Sequence, residues 1–238
     1  MTGNRPRRTA AACALLVAVA TLATSCSLIP DEGKTSKSAY SLDVDDTKAL
    51  TVDTKGGDIE VVAADSRSDA IRVIERYEWD EQKPRTEHGQ QNGRLTLQSD
   101  DCGDAERTCD VDYEVRVPAG TSLHLKSGGG DMKVSGMSGT VKAATQGGDI
   151  HVDDSSSRRV TAHSEGGDLL GAFTDSPSRV SFTSAGGDID VRLPTGSYAV
   201  DATTAGGDRN VTVPSKDTSD RHIKAHTDGG DVAVRNPA

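Results

Sequence analysis

One triplet, Gly-Gly-Asp, recurs seven times in this chain of 238 residues, and its neighbours recur with it. The aspartates are Asp58, Asp131, Asp149, Asp168, Asp188, Asp208 and Asp231; from Asp131 onward they are spaced by 18, 19, 20, 20 and 23 residues. Eight residues before each stands an aliphatic side chain (Leu50, Leu123, Val141, Val160, Val180, Val200, Ile223). Six before comes another apolar one (Val52, Leu125, Ala143, Ala162, Phe182, Ala202, Ala225). Four before is always a hydroxyl: Thr54, Ser127, Thr145, Ser164, Ser184, Thr204 or Thr227. One residue after come Ile59, Met132, Ile150, Leu169, Ile189, Arg209 and Val232, and three after come Val61, Val134, Val152, Gly171, Val191, Val211 and Val234. Alternation at period two on both sides of a Gly-Gly corner specifies strand, turn, strand, with one face of each strand turned inward.

A fixed period near twenty residues is the mark of stacked coils. The chain is therefore read as all-β, a single β-solenoid in which each coil adds about 4.8 Å along the axis; a β-sandwich built of hairpins is the competing arrangement. The inward set is small and β-branched, and aromatic residues are only 3% of the chain, which suits a narrow core of stacked, similar side chains. The two glycines are expected to take positive φ at the corner, and each aspartate to accept hydrogen bonds from the amides of its own turn. Arg209 in an apolar column and Gly171 in a valine column depart from the pattern, which implies a distorted coil or an outward Arg209. Between the first and second repeats lies an insertion, residues 62–122, with strand composition over Ala70 to Trp79, Arg94 to Ser99 and Val111 to Val117. Solenoid ends expose unpaired strand edges and core, so this insertion is read as a cap or a binding excrescence.

These seven stretches of the form [Val/Leu/Ile]-x-x-x-[Ser/Thr]-x-Gly-Gly-Asp-[Ile/Leu/Val]-x-Val, together with the junction Val117-Pro118-Ala119-Gly120, resemble the DUF4097 family over about residues 45–236. The resemblance implies a β-strand-repeat, solenoid-like domain on bacterial cell surfaces, called adhesin-like, with some relatives tied to envelope-stress responses. It brings no catalytic residues.

The N-terminus has a separate logic. Arg5, Arg7 and Arg8 precede the apolar run Ala10 to Ala23, and small residues lead to Cys26. This is the layout of an export signal, and its 14 apolar residues fall short of the about 20 that a spanning helix needs. Leu22-Ala23-Thr24-Ser25-Cys26 resembles a bacterial lipobox, in which the cysteine is acylated and becomes the new N-terminus. Residues 1–25 are thus read as a lipoprotein signal, 26–39 as a flexible tether, and 40–238 as the solenoid domain of an exported protein held on the outer face of the membrane by its lipid. Loss of residues 1–25 removes three arginines and no acid and takes the formal charge from −10 to −13, a balance that disfavours nucleic acid as a partner. Cys102 and Cys109, seven positions apart in an exported chain, are expected to pair, closing a loop worth about 2.5 kcal/mol in the chain-entropy treatment.

Among candidate chemistries, in-register stacking would line up Asp131, Asp149, Asp168, Asp188, Asp208 and Asp231 as a carboxylate ladder. Its mutual repulsion, about 1 kcal/mol per neighbouring pair even in water, is offset either by turn hydrogen bonds or by Ca²⁺. The tight Gly-Gly-x-Gly-x-Asp nonapeptide of calcium β-rolls is absent, so no cofactor is assigned and Ca²⁺ is retained as an alternative. The hydroxyl column is read as a ladder bonded coil to coil. His88, His124, His151, His163, His222 and His226 occupy mostly outward positions, and His222 and His226, four apart on a strand, stand about 13 Å from each other, too far for one metal. Gly136-Met137-Ser138-Gly139-Thr140 approaches a nucleophile elbow but ends in threonine and lacks the strand-to-helix setting. The expected function is non-catalytic: a binding or structural module toward a cell-envelope or extracellular protein or glycan. A calcium-dependent structural protein and a polysaccharide-active enzyme on a β-helix are the alternatives.

Overall fold

The structure, a computed structural model, describes residues 33–43, 47–64, 70–100 and 108–237. Each Gly-Gly-Asp corner joins two short strands whose alternate side chains are buried, as the period-two pattern requires. The first repeat supplies β2 (Ala49–Thr54) and β3 (Ile59–Ala63). After the insertion come β8 (Ser122–Ser127) with β9 (Met132–Ser135), β10 (Val141–Thr145) with β11 (Ile150–Ser155), β12 (Arg159–Ser164) with β13 (Leu169–Phe173), and β14 (Arg179–Ser184) with β15 (Ile189–Arg192). The last two repeats give β16 (Ala199–Thr204) with β17 (Arg209–Val211), and β18 (His222–Thr227) with β19 (Val232–Arg235). Strands before the corners stack in parallel into one sheet and strands after them into a second, with equivalent residues side by side: Val141 pairs with Val160, Val160 with Val180, Ile150 with Leu169. The chain is a two-sided β-solenoid.

The stacking order departs from the chain order at both ends. In sheet 1 it is β1-β4-β7-β3-β9-β11-β13-β15-β19-β17, and in sheet 2 it is β16-β18-β14-β12-β10-β8-β2-β6-β5. Here β1 is Lys34–Asp43, β4 Ala70–Trp79, β5 Thr86–Gln91, β6 Arg94–Ser99 and β7 Cys109–Val117. The seventh repeat (β18, β19) lies between the fifth and the sixth, so the sixth closes the C-terminal end. At the other end, β6 and β7 pair in parallel with β2 and β3 and form an eighth coil that lacks the triplet. The insertion is therefore partly a coil and partly a cap, the cap strands being antiparallel: β5 on β6, β4 on β7, and β1 on β4. The β5–β6 hairpin turns at Asn92-Gly93, both with positive φ (52° and 72°), the turn chemistry that suits a two-residue hairpin loop. Residues 34–39, expected to belong to the tether, are instead the first part of β1, which runs antiparallel to β4 over ten paired positions.

The core is a thin layer between the two sheets. Leu50, Val52, Leu125, Val141, Val160, Phe182 and Ile223 face Ile59, Val61, Val134, Ile150, Val152, Val191 and Val234, all buried. The glycine in the valine column has a packing reason. A Cβ on Gly171 would stand 2.8 Å from the ring of Phe182 and 3.1 Å from that of Phe173, so one large ring across the core occupies the space of the missing side chain. Arg209 is exposed and its Nε donates to Ala202 O (2.8 Å), which follows from the sixth coil being the last: its core side faces solvent rather than another coil.

Candidate functional site

The corners are held by two ladders. Each aspartate's backbone N–H donates to Oδ1 of the aspartate in the adjoining coil: Asp131 to Asp58 (2.8 Å), Asp149 to Asp131 (2.8 Å), Asp168 to Asp149 (2.7 Å) and Asp188 to Asp168 (2.7 Å). Then Asp231 donates to Asp188 (2.7 Å) and Asp208 to Asp231 (2.7 Å), while Asp58 donates to Asp112 Oδ1 (2.9 Å). This corrects two expectations. The carboxylates accept from the neighbouring coil rather than from their own turn, and the column runs 188, 231, 208 because of the inverted C-terminal order. One charge-assisted hydrogen bond per step offsets the repulsion along the row. Among the described residues no group of three His, Cys, Asp or Glu side chains is arranged to hold a metal, and Oδ1 of every aspartate but the terminal Asp208 is already engaged.

The hydroxyl column is bonded coil to coil as expected. Ser127 Oγ donates to Gly57 O (3.0 Å), Ser164 Oγ to Gly148 O (3.0 Å), Ser184 Oγ to Gly167 O (2.9 Å) and Thr227 Oγ1 to Gly187 O (2.8 Å). Each also accepts an amide of its own turn, such as Gly167 N to Ser164 Oγ (2.8 Å). Positive φ is not what the corners need. Among the described residues only Gly93 and Gly136 are positive-φ glycines. The second glycine of each triplet is required by proximity instead: a Cβ on Gly167 would run into Gly148 O, and one on Gly187 into Gly167 O.

The N-terminal cap carries a buried carboxylate that sequence reasoning missed, although Glu75 sits in the inward phase of β4 beside Tyr77. Glu75 is 3% exposed. It accepts from Tyr40 Oη (2.9 Å), Tyr77 Oη (2.5 Å) and Thr86 Oγ1 (3.3 Å), which ties β1, β4 and β5 together across the open end. Burial and the bond to Glu75 push the Tyr77 phenol up to about 12 and the Tyr40 phenol well above its usual range. The His88 ring stacks on Tyr40 at 5.0 Å, and Lys83 Nζ lies 4.0 Å from the Tyr77 ring centroid. Outside this cluster the cap borders a cleft of about 570 Å³ edged by Lys37, Asp58, Arg76, Asp110 and Asp112. Burial, with Asp112, Glu78 and Asp58 nearby, raises the Asp110 carboxyl.

The outer faces of the sheets differ in charge. On sheet 1, Asp190 is gripped by Arg192 and Arg235 (Arg235 Nη2 to Oδ2 2.6 Å). Burial pushes this carboxyl up, but the two guanidinium partners more than offset that and hold it below the usual range. On sheet 2, the outward positions of β8, β10, β12, β14 and β18 contain His124, Lys126, Lys142, Arg159, His163, Arg179, His222, Lys224 and His226, and no acid. Their neighbours are hydroxyls and small residues: Ser122, Ala144, Thr161, Ser181 and Thr183. This flat basic face belongs to an acidic chain. It was invisible in sequence because its members come from five separate repeats.

The remaining candidates fall as follows. Cys26 and Cys102 lie outside the described residues, and with them the lipid attachment and the Cys102–Cys109 pairing; Cys109 opens β7 opposite Trp79. Gly136 to Thr140 form the loop between β9 and β10 with Met137 buried, and no helix follows. His222 and His226 lie on the same face, and His226 shares a hydrogen bond with Thr203 Oγ1 (2.8 Å) and pairs with Asp228 (3.2 Å).

No curated protein matches the chain. Solved structures similar to it include a proposed cell adhesion protein from Clostridium sporogenes, 12% identical, covering 86% of this chain and 100% of that one with a TM-score of 0.48. Another is a proposed adhesin from Bacteroides fragilis, 13% identical, covering 85% of this chain and 97% of that one with a TM-score of 0.47. The family model described as Toastrack DUF4097 matches residues 43–235, nearly the whole of the described solenoid. The chain belongs to the DUF4097 (Toastrack) family.

Proposed function

We propose that this protein is a lipid-tethered, non-catalytic binding module of the bacterial cell envelope, adhesin-like in its use of a broad sheet surface rather than a cleft. One observation carries the reading: the outer face of sheet 2 presents side chains in straight rows over five stacked strands, with basic and hydroxyl residues and no acid among them, on a chain of net charge −10. Solenoids of this kind offer extended recognition surfaces because each coil repeats the same outward positions. The calcium alternative draws less support, since the Asp column spends its Oδ1 atoms on the amides of neighbouring coils. The anchor in this reading is acylated Cys26, with residues 27–33 as the link to β1. The full chain, purified in detergent, is expected to bind envelope fractions saturably, and failure to bind any envelope fraction counts against the module. Metabolic labelling with a tagged fatty acid is expected to mark the native chain and not Cys26→Ser; equal labelling of both removes the anchor.

A further inference from the structure

We infer that the basic face of sheet 2 binds a linear polyol- or sugar-phosphate polymer lying along the solenoid axis. The inference rests on the binding-module reading above and names its ligand class. The face has three rows. In the first, Arg159 stands opposite Arg179, and Arg179 opposite His222. In the second, His124 stands opposite Lys142, and Lys224 lies farther along beyond Thr161 and Ser181. In the third are Lys126, His163 and His226. Like charges directly opposite one another on neighbouring strands are destabilising. Here none of Lys126, Lys142, Arg159, Arg179 and Lys224 has an ion-pair partner among the described residues. An external anion would relieve the opposed Arg159 and Arg179 and neutralise the rows.

The dimensions favour a thin polymer. Five strands at about 4.8 Å make a patch about 19 Å long, and the rows at its two sides are about 13 Å apart. The acids lie outside it: Asp53 opposite Lys126, Asp201 opposite Lys224, and the Asp ladder at the corner. A planar anionic bilayer would press on those acids as well, whereas a single chain can follow the rows between them. The face has no Phe, Tyr or Trp side chain, the usual platform on which single-stranded nucleic acid stacks its bases. Its Thr161, Ser181 and Thr183 hydroxyls suit the alcohol groups of a polyol or sugar backbone.

Arg159 and Arg179, side by side on β12 and β14, present planar guanidinium forks that suit phosphate oxygens.

The test uses the full chain in non-ionic detergent with poly(glycerol phosphate) as the probe. Expected is saturable binding that weakens steeply with salt. Lys142→Glu with Lys224→Glu is expected to lose at least about tenfold in affinity, while Lys133→Glu with Lys216→Glu, equal in charge change but off the face, stays within about twofold. Both pairs are exposed, and unchanged melting temperatures verify that the variants fold. Equal losses in the two double variants, or preference for phosphatidylglycerol vesicles, duplex DNA or polygalacturonate over the probe, would each overturn the inference. If the on-face variant still binds envelope fractions like the native chain, the polymer assignment fails and the binding module stands; if the native chain binds no envelope fraction, the module itself fails.

Discussion

Gly171 and Phe182 sit on opposite sheets yet form one packing unit, since the ring occupies the volume a valine would need. Gly171→Val is expected to cost about 1–3 kcal/mol by overpacking, and Phe182→Ala about 3–5 kcal/mol by leaving a cavity. The double variant should be less destabilised than the sum by more than about 1 kcal/mol in urea unfolding; strict additivity would show that the two do not share a space. The corners make a sharper contrast. A Cβ on Gly166 meets its nearest atom at 3.8 Å, whereas one on Gly167 strikes the carbonyl of Gly148. Gly167→Ala should therefore cost at least about 2 kcal/mol and Gly166→Ala no more than about 0.5 kcal/mol, by the same measurement. Asp190 provides a pH signature. Its carboxyl is held below the usual range by Arg235 and Arg192, so the stability it adds is present above the ordinary carboxylate range and is lost as pH falls through its lowered value. The stability gap between the native chain and Asp190→Asn is expected to persist from about pH 7 to about pH 5 and to shrink below about pH 4. A gap independent of pH would place the role of Asp190 in packing.

Among the elements, the C-terminal inversion follows from the quality of the inward residues. The sixth repeat has Arg209 where its neighbours have an aliphatic, and β17 is largely exposed; the seventh has Ile223, Ala225, Val232 and Val234, all buried. The better apolar set occupies the interior slot and the poorer one the end, where burial is one-sided in any case. The segment between β17 and β18 makes the return, its Ser215 bridging to Tyr198, which stands just before β16, is fully buried and donates its Oη to Pro194 O (2.8 Å). A chain ending at Val213 keeps six triplets and would lose only the terminal coil if stacking followed the sequence. In the observed order it deprives β16 and β17 of their partners, so the amides of Ala199–Thr204 are expected to lose hydrogen-exchange protection while those of β12 keep theirs. Retained protection over Ala199–Thr204 would contradict the inverted order. The coil made by β6 and β7 escaped sequence reading for a related reason: it lacks the Gly-Gly-Asp triplet, although Asp112 takes the place of the aspartate and accepts from Asp58 N.

At the scale of the whole molecule, charge is sorted by the fold rather than by the sequence. A net charge of −10 argues against anionic partners only if it is spread evenly. Stacking gathers basic residues that lie about twenty positions apart onto one face, while the acids of sheet 2 fall on its flanking strands β2 and β16. Local periodicity was enough to establish the strands, the corners, the coil-to-coil stacking and the hydroxyl ladder, because each depends on residues within one twenty-residue window and on the identity of the next window. What tertiary structure alone decided was which coil neighbours which, why the second glycine is needed, where the buried Glu75 finds its phenols, and which outward side chains meet. Those are contacts between windows whose order along the chain differs from their order in space, and no spacing rule read along one dimension contains that permutation.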